Sequence, residues 1–157
     1  MATVTNEIEI ASSFPAEKVF KVLKDFENIA PKANPAIFKS IEKLEGNGGV
    51  GTIKLITFGD ALPFTHAKYK IDALDESSFS YSYTFFEGDN LMGILDSTTQ
   101  YVKVVPSGEG SIYKLTIIYN CKGDEKPSEE TLKEEKEVYE QTYKAIEGYA
   151  AANPELY

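Results

Sequence analysis

Apolar and polar positions alternate over residues 3–10, where Val4, Ile8 and Ile10 stand among polar neighbours, and a period of two predicts a strand. Ser13-Phe14-Pro15-Ala16-Glu17 then reads as a helix start: a capping residue, a proline near the first turn and an acid against the helix dipole. Val19, Phe20, Leu23 and Phe26 supply the apolar face of a short helix. Pro31 and Pro35 restrict residues 27–34 to one further short helical piece. From about residue 36 to 120 the pattern becomes strand-like. Runs are expected at 36–45, Ile53–Phe58, Phe64–Leu74, Phe79–Phe86, 94–105 and 111–120, broken by turns rich in Gly, Pro, Asp and Asn. In the Phe79–Phe86 run, Phe79, Tyr81, Tyr83 and Phe85 share one face, and Ser80, Ser82 and Thr84 the other. Tyr113, Leu115, Ile117 and Tyr119 share a face of the last run. After Pro127-Ser128-Glu129-Glu130, the pattern turns helical through residue 152, with Leu132, Tyr139, Tyr143, Ile146 and Ala150 at helical spacing. A strand, two short helices, about six strands and one long amphipathic helix predict an α+β fold. Its antiparallel sheet has one face covered by the final helix.

Composition narrows the function classes. The chain has 157 residues, 42% of them hydrophobic, enough for the core of a single domain spanning 1–157. The formal net charge of -9 argues against a nucleic-acid partner and against an anionic membrane surface. Cysteine and histidine occur once each, at Cys121 and His66, so no intrachain disulfide and no zinc cluster is expected. All sixteen basic residues are lysines, so no bidentate guanidinium clamp exists for phosphate or carboxylate. The first ten residues carry neither a basic start nor an apolar run, and no eighteen-residue apolar stretch follows. A soluble, reduced, intracellular chain without metal or cofactor is the expectation.

Four features carry candidate chemistry. Gly46-Asn47-Gly48-Gly49-Val50-Gly51 matches G-x-G-x-x-G, but a β-type run follows where a nucleotide site needs a helix N-terminus, so a hairpin loop is expected. Tyr81, Tyr83, Tyr113 and Tyr119 fall on inward faces, with Phe58, Phe64 and Phe85 as companions. The final helix places Thr131, Glu135, Val138 and Thr142 beside its apolar stripe. Such polar tips need partners or water. Either a cavity separates sheet from helix, or the tips reach solvent around a solid core. Lys54 alternates with Ile56 and Phe58 and is either an inward lysine, paired with Glu135 or depressed in pKa, or a surface lysine. His66 lacks a nucleophile motif beside it, and Cys121 has no assigned role.

Glu45-Gly-Asn-Gly-Gly-Val-Gly-Thr52 followed by Ile53-Lys54 resembles the glycine-rich loop of the plant pathogenesis-related proteins of class ten, the birch-pollen-allergen family. Tyr81-Ser-Tyr83 running into Glu87-Gly88-Asp89, then Lys122-Gly123-Asp124, the ending Ala152-Asn153-Pro154, and the spacing of Pro15-Ala16 and Pro31-Lys32 are similar to the same family. The resemblance spans essentially the whole chain.

It implies a seven-stranded antiparallel sheet wrapped around the C-terminal helix, the START-like helix-grip arrangement, with a large apolar cavity inside. By position, the implied ligand-binding residues are Lys54, Ile56, Phe58, Phe64, His66, Tyr81, Tyr83, Phe85, Leu91, Leu95, Gln100, Val102, Glu135, Val138 and Thr142. The implied entrance comprises Leu62, Leu91, Leu95 and Asn28–Lys32. Ala30, where an aromatic is common, implies a wider cavity near the short helices, and Glu135 adds an unusual carboxylate. The implied function is a monomeric cytoplasmic defence- or stress-related carrier of small hydrophobic or amphipathic plant metabolites such as hormones and flavonoids. The alternative is a condensing enzyme of alkaloid type using Lys54, Tyr83 and Glu135. The ribonuclease activity claimed for the family would fall on Lys54, Asp96, Glu147 and Tyr149. The short Asp96, the lone His66 and the charge of -9 weigh against it.

Overall fold

The computed structural model describes residues 2–157. The elements run β1 (Thr3–Ser12), α1 (Ala16–Lys24), α2 (Phe26–Ala33), β2 (Phe38–Glu45), β3 (Ile53–Phe58), β4 (His66–Asp75), β5 (Ser80–Gly88), a 3-10 turn (Asp89–Leu91), β6 (Leu95–Ser107), β7 (Gly110–Cys121) and α3 (Glu129–Ala152). All seven strands form one antiparallel sheet in the order β1-β7-β6-β5-β4-β3-β2. Every step is a hairpin neighbour except the long excursion through α1 and α2, which puts β1 at one edge and β2 at the other. Register shifts at Phe38/Ser40, Lys43/Glu45, Lys68/Tyr69, Ile71/Ala73 and Leu95/Ser97 bend the strands. Bulges of this kind increase local twist and let a sheet curl around a helix.

The glycine-rich segment is the β2–β3 hairpin loop. Gly46 takes φ +96°, and a Cβ there would meet the Thr52 Cα at 2.7 Å. The Thr52 hydroxyl accepts from the Gly48 amide at 2.8 Å, closing the loop on itself. No helix N-terminus stands there to receive a pyrophosphate. Gly59 is required for a different reason: its amide donates to the Ile37 carbonyl at 2.8 Å, and an added Cβ would strike the Ala36 carbonyl oxygen at 2.4 Å. That close approach ties the end of β3 to the chain between α2 and β2.

Local details depart from the sequence pattern. Pro15, not Ser13, stands at the start of α1 and offers no side-chain cap, while the Ser13 hydroxyl donates to Glu147 on α3 at 3.1 Å. Pro31 lies inside α2 rather than ending it. Phe79 belongs to the turn before β5, with φ +52°, and packs against Phe20 of α1 at 5.7 Å between ring centroids. β6 runs through Pro106 to Ser107, so its turn to β7 shrinks to Gly108-Glu109. Ser128 caps α3 as the pattern requires, its hydroxyl accepting from the Thr131 amide at 3.1 Å.

The core sits where α1 and α2 close one end of the curved sheet. Val19, Val22, Ile29, Ala30, Val104, Leu115 and Ile117 are among its buried members. Backbone approaches of α3 are chiefly to α2 and β1. It stands further off from the middle strands, and that separation leaves space between sheet and helix.

Candidate functional site: a tyrosine-lined cavity

The space between sheet and helix is a cavity of about 300 Å³. That lies at the lower end of the range for small-molecule sites. Its sheet wall follows from strand parity. On β3, Lys54 and Ile56 point inward, and Phe58 also lines the cavity. On β4 the inward set is Ala67, Tyr69 and Ile71; on β5 it is Tyr81, Tyr83 and Phe85. β6 adds Leu95, Thr98 and Gln100, and β7 adds Tyr113 and Tyr119. The helix wall is one face of α3: Thr131, Glu135, Val138, Tyr139, Thr142, Tyr143 and Ile146. Leu23 of α1, Phe26 of α2 and Phe38 of β2 close one side, and Leu62, Pro63 and Phe64 in the β3–β4 loop close another.

Aromatic rings build most of this surface. Tyr69 lies 5.3 Å from Tyr83 and 5.4 Å from Phe85, Tyr83 lies 5.7 Å from Phe85, and Tyr81 stacks on Tyr83 at 5.9 Å. Across the cavity Tyr113 stacks on Tyr143 at 5.2 Å. Burial raises the pKa of every one of these tyrosines, pushing Tyr143 up to about 12, so all of them keep their protons at neutral pH. They therefore present neutral donors on an apolar surface.

The polar groups have specific partners. Lys54 is 5% exposed, and its Nζ lies 3.6 Å from Glu27 Oε1 on α2. The pairing with Glu135, one of the alternatives the pattern left open, does not form. Glu135 Oε2 instead accepts from the Tyr119 hydroxyl at 2.7 Å, and burial raises its carboxyl pKa above the usual range. Gln100 Nε2 donates to Thr98 Oγ1 at 3.3 Å and to the Tyr139 hydroxyl at 3.4 Å. Gln100 Oε1 is buried with no partner.

Three residues expected in the lining lie elsewhere. His66 points outward because its neighbours Ala67 and Tyr69 point inward, and its Nδ1 sits 3.0 Å from Thr65 Oγ1. Phe64, two residues earlier, escapes that parity because it lies in the loop. Val102 is 2% exposed in packed core. Its cross-strand neighbour Tyr81 carries Phe20 of α1, and α1 fills that end. Leu91 is buried in the 3-10 turn, and its neighbours Asn90 and Met92 line the cavity instead.

The expected entrance is also redrawn. Leu62 lines the cavity, Leu95 is buried wall, and none of Asn28–Lys32 reaches it. Ala30, on α2 itself, is wholly buried and is not part of the cavity lining. The pattern reading omitted Tyr69, Tyr139 and Tyr143 from the lining, although the last two lie on the apolar stripe of α3. Tyr69 was available from parity with Ile71.

The four residues of the ribonuclease assignment are not brought together. Asp96 lies in the bulge opposite Asn120 and Cys121, at one end of β7. Glu147 accepts from the hydroxyl of Ser12, which pairs with Ser111 at the other end. Ten residues of strand separate those ends, roughly 30 Å. Among the described residues, no group of acids, His and Cys could hold a metal, and no helix is long and apolar enough to cross a membrane.

A seven-stranded antiparallel sheet around a long C-terminal helix is shared by known proteins. The model of the Pathogenesis-related protein Bet v 1 family matches residues 1–153. The chain belongs to that family. It is 50% identical over 151 residues to the root allergen protein of Taraxacum officinale, covering 95% of this chain and 96% of that protein. It is 46% identical over 148 residues to a Panax ginseng protein named Ribonuclease 2, covering 94% and 97%. Among solved structures, Ara h 8.0201 superposes with a TM-score of 0.83 at 35% identity, covering 96% of this chain and 99% of that one.

Proposed function

We propose that this Bet v 1 family member binds small amphipathic plant metabolites in its cavity and stores or carries them, acting as a cytoplasmic monomer in defence or stress. The observation that carries the proposal is the cavity itself, about 300 Å³ of space, partly open to solvent and walled by tyrosine and phenylalanine rings with few polar groups. Burial of an apolar ligand there contributes ~25 cal/mol per Å² of surface removed from water. The tyrosine hydroxyls, Lys54, Gln100 and Glu135 orient the ligand's polar atoms. The family membership and the allergen relative support this reading. The separation of Asp96 from Glu147 weighs against carrying the ginseng relative's name over to this chain.

The test is a fluorescence titration with a neutral solvatochromic dye, read against a background free of tryptophan. Saturable one-to-one binding by the folded protein, reversed by candidate metabolites, is the expected result. A cooperatively melting sample that binds no neutral dye overturns the proposal.

A further inference from the structure

Charge is distributed unevenly around the cavity. Its two lysines, Lys24 and Lys54, are each engaged by an acid outside the lining, Glu76 and Glu27 respectively. Its two acids, Glu134 and Glu135, enter no ion pair among the described residues. Among the described residues Glu135 has one hydrogen bond, accepted from the Tyr119 hydroxyl at 2.7 Å, and a carboxylate can accept about four. A second, independent feature points the same way. Gln100, 1% exposed and part of the lining, spends its amide hydrogens on Thr98 and Tyr139, leaving Oε1 without a donor. The cavity thus holds a cation-free carboxylate and an orphan carbonyl, both acceptors. Tyr83 and Tyr139 stand close enough to Glu135 for its charge to raise their pKa values further. Their ring faces attract cations, as aromatic faces do.

We infer that this end of the cavity takes the ammonium group of a primary amine. The chain then prefers cationic amphipaths to neutral molecules with the same apolar body. The inference rests on the cavity-binding reading above and deepens it. An ammonium supplies three donors and a positive charge. A charge-assisted bond to Glu135 is roughly twice as strong as a neutral one. A ligand hydroxyl supplies one donor and leaves the half-buried charge of Glu135 without a counter-ion. A ligand carboxylate meets like charge.

The test compares tyramine with 4-ethylphenol, which lacks only the amine, as displacers of the bound neutral dye at pH 7. Tyramine is expected to bind about tenfold or more tightly, the factor that one charged hydrogen bond of ~1.5 kcal/mol produces. The isosteric Glu135→Gln variant is expected to bring the ratio of the two affinities close to one. Equal or tighter binding of 4-ethylphenol to the native chain overturns the inference while the dye still reports a working cavity. A ratio unchanged in Glu135→Gln overturns the assignment to Glu135. Failure of the dye itself to bind overturns the cavity reading, and this inference falls with it.

Discussion

Val138 and Val102 offer a matched pair of perturbations on facing elements. Val138 on α3 lines the cavity, and Val102 on β6 is 2% exposed in packed core. Phenylalanine at either position adds the same carbons. In a well-packed core such an insertion forces rotamer and backbone shifts costing ~1–3 kcal/mol. Val102 has Leu115 and Tyr81 as cross-strand neighbours and α1 beyond them, so Val102→Phe falls in that range. At Val138 the ring extends into about 300 Å³ of space. Each added carbon group that meets the tyrosine wall contributes at most ~0.8 kcal/mol, so Val138→Phe is neutral or stabilising by ~1 kcal/mol. The two variants should differ by ~1–4 kcal/mol, or ~2–16 °C in Tm at the ~2–4 °C per kcal/mol of a chain this size. Thermal melts followed by circular dichroism read the difference. Neutral-dye titration reads its counterpart: Val138→Phe weakens binding, and Val102→Phe, where folded, does not. Equal destabilisation at both positions would mean that Val138 faces packed atoms, and the cavity argument would fail.

Other substitutions test other parts of the account. Gly46→Ala places a Cβ at φ +96° and 2.7 Å from the Thr52 Cα, and should lose ~1–3 kcal/mol by urea denaturation. Recovery of native stability in that variant would refute the loop assignment. For Glu135, burial raises the folded-state pKa above the unfolded value, so the unfolded chain releases its proton first. The group's favourable contribution is therefore complete below about pH 4 and declines as pH rises through the raised value. Glu135→Gln should thus be more stable than the native chain at pH 7, with the gap closing towards pH 4; a pH-independent gap in urea midpoints would contradict this. The Asp89 carboxylate accepts from the Thr65 amide and hydroxyl and from the His66 amide, pinning the β3–β4 loop to the turn after β5. Asp89→Ala should accelerate hydrogen exchange at the Thr65 and His66 amides, and unchanged rates there would exclude that role.

Period-two alternation identified the inward tyrosines of β5, and helical spacing identified the inward face of α3, because each is a local property of one element. On β4 the same alternation, with Ala67 and Tyr69 inward, turns His66 outward; its place in the lining came only from the resemblance. Partners were less accessible. Lys54 meets Glu27 because α2 folds back under β3, a relation across 27 positions that no local pattern encodes. Val102 has the parity of a lining residue and loses the cavity only because α1 covers that end. Asp96 and Glu147 are separated by the register of β1, β7 and β6, which composition does not reveal.

The claim that a ligand enters between sheet and helix is tested most directly by methyl NMR of Ile, Leu and Val side chains during titration with the neutral dye. The account predicts saturable shifts concentrated at Ile56, Leu95, Val138 and Ile146, all of which line the cavity. The exposed Leu44 and Val50 should stay still. Shifts confined to those exposed residues, with the cavity methyls unmoved, would contradict it.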